Sequence, residues 1–134
     1  MKKIKKNTTK IGNLGENVAV LSLKKRGFAI KDLQYKRKWG EIDIIASFNN
    51  RIHFIEVKSA SYETKESLEY ALTHEAWRPE EQVHRFKLHQ IGKALETWIV
   101  EHHYVGEWQI DVIAIRMVPR ETFATINYFE DVTL

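Results

Sequence analysis

With 134 residues, 43% of them hydrophobic and 29% charged, the chain has the size and balance of one globular domain that buries about two-thirds of its unfolded surface. The absence of cysteine excludes disulfides and thiolate metal centres and suits a reducing cytoplasm. No apolar run reaches membrane length, and Asn13, Glu16 and Asn17 interrupt the stretch where a secretory leader needs an unbroken apolar segment, so we expect a soluble, cytoplasmic protein without a membrane partner. The net charge of +3 is unevenly spread: residues 1–58 hold 14 Lys+Arg against 5 Asp+Glu, and residues 59–134 hold 7 against 13. A basic first half draws a polyanion such as nucleic acid. The competing reading of Lys2, Lys3, Lys5, Lys6 and Lys10 is a solvated tail.

In chain order, residues 1–10 read as a basic, flexible arm. Asn13 can cap a helix from Leu14 to about Arg26, with Leu14, Val18 and Leu21 as its apolar stripe and Gly27 as its stop. Phe28 to about Tyr35 reads as a strand, followed by the basic turn Lys36-Arg37-Lys38. Two short apolar strands come next, Glu41–Ala46 and His53–Ser59, on either side of Asn49-Asn50. Residues 59–81 show no clear period and read as a mobile loop carrying a short helix near Lys65 to His74. Pro79 marks the entry to a long helix, about Glu80 to His103, whose apolar face is Val83, Phe86, Ile91, Ala94, Leu95, Trp98 and Ile99. A strand from Trp108 to Met117 alternates well, Pro119 turns the chain, and a last strand spans roughly Thr122 to Phe129. The order α-β-β-β-α-β-β predicts a single α/β domain over 1–134, a central mixed sheet flanked by helices with the hairpin strands inside it.

Asn tolerates the positive φ of tight hairpin turns, so Asn49-Asn50 sets the register of that hairpin. Phe48 then faces Arg51; further along, Asp43 faces Glu56 and Glu41 faces Lys58. Side chains alternate with period two, so one face carries Glu41, Asp43, Glu56 and Lys58, and the other carries Ile42, Ile44, Ala46, Ile55 and Val57. Two ionised carboxylates with Cβ atoms about 5 Å apart cost roughly 3–4 kcal/mol at an effective dielectric near 20. Lys58 supplies one positive charge for the two acids, and a divalent metal would supply the rest. The pattern is that of a chemical site.

Asp43, twelve intervening residues and then Glu56-Val57-Lys58 match the Asp…Glu-x-Lys core of the restriction-endonuclease-like (PD-(D/E)XK) nucleases. More closely, the chain resembles the bacterial YraN-like family and, more distantly, archaeal Holliday-junction resolvases. The resemblance covers roughly residues 10–117 and is carried by Gly12-Asn13-Leu14-Gly15-Glu16, Gly27-Phe28, Gly40–Ala46, Phe54–Lys58 and Gln109–Ile113. It implies a restriction-endonuclease-like core and Mg²⁺-dependent hydrolysis of DNA, branched or structured DNA included, with Mn²⁺ as a substitute. In that reading Asp43, Glu56 and the Val57 carbonyl hold the metal, since a hard ion takes oxygen ligands. Lys58 orients water or stabilises developing charge, and Glu16 completes the shell. Lys36, Arg37, Lys38 and Lys87 contact phosphate, and the resolvase analogy extends to a homodimer. The alternative is a non-catalytic nucleic-acid-binding or accessory protein that retains the nuclease fold.

Several of these residues have plainer explanations. Glu16 follows Asn13 by three and also fits a capping box. Glu41 and Lys58 make an ordinary cross-strand ion pair, and Lys87 also suits a solvated helix face. Asp111 is either half buried near the site or polar on an exposed strand face. Trp39 is a rim or core aromatic before it is a base-stacking platform. The six histidines lack zinc spacing and read as surface residues. Three positions depart from the family pattern: Ile42 in place of proline, Gln34 where asparagine is more usual, and Ala60 where an arginine is associated with the motif.

Overall fold

Helix α1 (Lys2–Lys25), strands β1 (Ala29–Arg37), β2 (Gly40–Phe48) and β3 (Arg51–Ser61), helices α2 (Lys65–His74) and α3 (Arg85–Glu101), and strands β4 (Glu107–Val118) and β5 (Phe123–Phe129) follow one another along the chain. The computed structural model describes residues 2–74 and 85–132, with side chains over 10–74 and 88–132. The strands form one five-stranded sheet in the order β1-β2-β3-β4-β5. Strands β3 and β4 run parallel, and the other neighbours are antiparallel. This is the expected α/β architecture, with the hairpin strands inside the sheet and α2 on the residues anticipated for a short helix.

The sheet is covered on both faces. On one, α1 packs over Ile44, Ala46, Ile55, Ile113 and Ile115. On the other, Ile91, Ala94, Leu95 and Trp98 of α3 pack over Ile42, Ile45, Phe54 and Val112. Over its described length the long helix buries the expected Ile91, Ala94, Leu95 and Trp98, with Ile99 packed beside them, and adds Leu88; Val83 and the side chain of Phe86 lie outside the described residues. The helix is described from Arg85, so residues 80–84 of the expected span lie outside as well.

Helix α1 differs from the sequence expectation at both its start and its buried stripe. It begins at Lys2, so the basic segment taken for a flexible arm is helical and Asn13 lies inside the helix rather than at its cap. No glycine or proline interrupts residues 2–11, and lysine is a good helix former. Leu14 and Leu21 are exposed; the seam against the sheet is Gly15, Ala19 and Leu23, one residue every four. A small residue is needed at the Gly15 end of that seam because the approach is close: a Cβ there would fall 1.9 Å from Ser59 Oγ. Gly27, at φ 95°, ends the helix in a Schellman motif in which Phe28 N–H donates to Leu23 O and Gly27 N–H to Lys24 O.

The 59–81 segment is more regular than a loop at its start, since β3 continues through Ser61 and α2 follows at Lys65. Residues 75–81 of that segment lie outside the described residues. Asn49 and Asn50 take φ values of 51° and 60°, as a type I′ turn requires. The turn places Phe48 against Arg51 and holds that register to Ile44 against Ile55. Beyond Ile44, strand β2 stops behaving as a regular partner of β3. Ile42 joins Ile45 on the α3 face, whereas Ile44 and Ala46 face α1. Strict alternation had put Ile42 with Ile44; a break at Asp43 rotates it to the opposite face.

Candidate functional site

The break in β2 opens a fork in the sheet. The last β2–β3 pair is Ile44–Ile55, and one step further the Asp43 side chain replaces a main-chain acceptor: its Oδ2 accepts the Val57 N–H at 2.8 Å. N–H and C=O of one strand residue point to the same lateral side, so the Val57 carbonyl also faces the gap left by β2. Asp43, Glu56 and Val57 line a cleft of about 380 Å³, with Glu16 from α1 and Ser59 and Ser61 from the end of β3. A larger hollow of about 780 Å³ lies beside Leu88, Trp108 and Ile110, but it does not gather the predicted residues. Asp43 and Glu56 thus share one cleft, but at the end of the ladder rather than as the directly opposed pair expected from the hairpin.

Each acid sits in its own electrostatic setting. Glu56 is 6% exposed, and the Lys58 ammonium stands 3.6 Å from its Oε1. Lys58 was expected opposite Glu41; because β2 leaves β3, Glu41 lies across from Lys36 on β1 instead, and Lys58 pairs with Glu56. Burial pushes the Glu16 carboxyl above its ordinary value, repulsion from Asp43 adds to that rise, and a hydrogen bond from Gln34 opposes it. This coupling ties α1 to the fork. Asn13 lies within α1, so the capping-box role of Glu16 is overturned; its carboxylate instead lines the cleft and accepts the Gln34 amide.

Among the described residues, no group of three or more His, Asp or Glu side chains gathers closely enough to enclose an ion by itself. Mg²⁺ does not need one, because it keeps several waters and uses one or two carboxylates. Asp43, Glu56 and the Val57 carbonyl are a hard, all-oxygen donor set at one cleft, so the residues present fit that ion. Glu16 is the additional carboxylate within electrostatic reach.

The proposed phosphate-contacting residues separate. Lys36 is exposed on β1, and Lys38 is exposed in the turn after it. Arg37 is committed elsewhere: its guanidinium contacts Glu101 at 2.8, 2.9 and 3.3 Å and stacks over the Tyr35 ring. Tyr35 OH closes this clasp with a 2.6 Å bond to the same Glu101. Lys87 lies in the first turn of α3, and its side chain is outside the described residues. Trp39 is a rim residue, 42% exposed, with its Nε1 donating to Thr97 Oγ1 at 3.3 Å.

Sequence reasoning missed a second polar cluster, inside the sheet rather than at the cleft. Asp111 is fully buried, correcting both earlier readings of it. Its carboxylate accepts bonds from Gln109 Nε2 and the Asp131 N–H, both at 2.8 Å, and from Tyr128 OH, and it meets His53 Nδ1 at 2.6 Å. Burial alone would raise its pKa; these partners outweigh burial and hold it below the usual carboxylate value. His53, read as a surface residue, is 4% exposed. The available signal was the nearly unbroken apolar run around Asp111, which marks a strand covered on both faces.

The chain is thus an α/β protein with a carboxylate cleft at a strand fork. The profile of the family described as "Uncharacterised protein family UPF0102" matches residues 15–115, and the chain belongs to that family. It is 32% identical over 130 residues, 96% of each chain, to the UPF0102 protein TTE1452 of Caldanaerobacter subterraneus subsp. tengcongensis. It is 36% identical over 105 residues, 78% of this chain and 82% of the relative, to the UPF0102 protein Cj0148c of Campylobacter jejuni. A UPF0102 protein of Alkaliphilus oremlandii is 33% identical over 126 residues, 91% of this chain and 96% of the relative. Family membership bears out the YraN-like resemblance at that level. Among the described residues no helix is long and apolar enough to cross a membrane.

Proposed function

We propose that this protein is a Mg²⁺-dependent endonuclease of the restriction-endonuclease-like (PD-(D/E)XK) type, hydrolysing phosphodiester bonds in DNA, with branched or structured DNA as its substrate class. One observation carries the reading. Asp43 and Glu56, brought from two strands, line the cleft where β2 leaves β3, and the Lys58 ammonium stands 3.6 Å from Glu56. The oxygens of Asp43, Glu56 and the Val57 carbonyl would hold Mg²⁺, with Mn²⁺ as a substitute, and the ion supplies a Lewis acid for the phosphodiester. Lys58 places a positive charge where negative charge develops on the phosphoryl oxygens. Lys36 and Lys38 give the backbone of the nucleic acid its cationic contacts. A homodimer presenting two such clefts would cut both strands of a branched duplex.

The test is incubation of the purified protein with Mg²⁺ and linear, flapped and four-way DNA. Cleavage is expected for the wild type and lost in Asp43→Ala and Glu56→Ala, while Lys58→Met lowers the rate about 10²–10³-fold. Activity that survives either acid substitution belongs to a contaminant and refutes the assignment. A second reading, a non-catalytic nucleic-acid-binding protein on the same fold, draws support from Ala60 and from the commitment of Arg37 to Glu101. Calorimetric titration with Mg²⁺ or Mn²⁺ separates the two, since a chain that takes up neither ion but binds DNA is the accessory protein.

A further inference from the structure

Among the described non-glycine residues, positive φ values occur at the hairpin turn, after α3, beside the 3-10 turn Pro119–Glu121 and near the C-terminal end of the described chain, all where the chain turns. Gln34 is the exception, because its φ of 48° falls inside strand β1. Left-handed backbone is costly for a residue with a Cβ, and such outliers concentrate at functional sites. Its position is also particular. Leu33 pairs with Ile44 and Tyr35 with Ile42, so Gln34 lies level with Asp43, where β2 itself breaks alternation. From there its Nε2 donates to Glu16 Oε1 at 3.2 Å. Two irregularities on adjacent strands thus meet one carboxylate of α1.

We propose that Gln34 is a positioning residue: its left-handed backbone aims the side-chain amide at Glu16, holding that carboxylate in the cleft beside Asp43, where its charge strengthens cation binding by Asp43 and Glu56. The inference rests on the cation-binding reading above. Hydrogen bonds to ligating carboxylates orient them, and losing such a bond typically lowers metal affinity 10–100-fold. A hydrogen bond that only fastened α1 to β1 would change stability and leave ion affinity alone.

The experiment is calorimetric titration of Mn²⁺ into the metal-free full-length chain, with thermal melts of the same samples. Gln34→Met keeps the side-chain length and removes the donor; Gln34→Gly removes the donor and relieves the torsion. Both are expected to bind Mn²⁺ about 10-fold more weakly than wild type. The Gln34→Gly chain should melt no lower than wild type, so its weaker binding is not a loss of fold. On a Glu16→Ala background, Gln34→Met should add no further loss, because it acts through that carboxylate. Wild-type affinity in both Gln34 variants overturns the inference, as does an equal loss on the Glu16→Ala background. A wild type that takes up no Mn²⁺ removes the cation reading itself, and that failure is visible before any variant is made.

Discussion

Replacing Asp43 by Asn or by Ala separates its structural role from its chemical one. The Asp43 carboxylate accepts the Val57 N–H that no β2 carbonyl reaches. A hydrogen bond to a charged group contributes about 1.5–3 kcal/mol and a neutral one about 1 kcal/mol. Against that stands repulsion from neighbouring acids; Asp43 adds to the upward push on Glu16 that burial begins. At effective dielectrics between 20 and 80, each such pair costs about 1–3 kcal/mol without a cation. Asn keeps an acceptor for Val57 and lowers the negative charge at the cleft. Ala removes the acceptor as well, and it should fall about 1–2 kcal/mol below Asn, or about 3–6 °C in melting temperature. The assay is thermal or urea unfolding in chelator, repeated with Mg²⁺, which should raise the wild type alone. Equal stability of the Asn and Ala chains would refute the account, because the N–H acceptor is what distinguishes them.

The depressed pKa of Asp111 means that the unfolded chain takes up this proton first, so its stabilisation is present above the ordinary carboxylate value of 3.8 and is lost as pH falls through the lower folded value. Asp111→Asn should cost about 1–3 kcal/mol at neutral pH by disrupting a buried hydrogen-bond network, and the deficit should shrink in unfolding measured toward pH 3. Gly15→Ala should lower stability by about 1–3 kcal/mol in urea unfolding, despite the better helix propensity of alanine, because its Cβ would meet Ser59. In DNA binding, Lys36→Ala and Lys38→Ala should each reduce the log–log salt slope by about 1, whereas Arg37→Ala should leave it nearly unchanged, its charge being matched by Glu101.

The hairpin register was legible because two adjacent asparagines fix the turn, and a fixed turn aligns every later pair. The meeting of Asp43 and Glu56 at one cleft follows from that local rule. The break at Asp43 was not legible: it involves a side chain taking the place of a main-chain acceptor and an unusual torsion at Gln34 on the neighbouring strand, neither of which periodicity records. The buried stripe of α1 was misread because hydrophobic bulk draws attention to Leu14 and Leu21, whereas a close crossing selects Gly15 and Ala19. Asn13 looked like a cap only because the lysine-rich residues before it were taken for an arm. Asp111 and His53 were missed for a related reason, since a polar pair inside a sheet covered on both faces satisfies itself across strands, and a single sequence does not show which partners meet.

The clasp of Tyr35, Arg37 and Glu101 has a consequence for how the protein comes apart. Gln34 reaches Glu16 from the outermost strand, which pairs with β2 alone, packs through Ile30 and Tyr35, and is fastened by this clasp to the last turn of α3. Margins of a sheet open more readily than its centre. Peeling this margin would withdraw the amide from Glu16 while β2, β3 and β4 stay paired, so loss of ion binding should precede loss of the whole fold on heating.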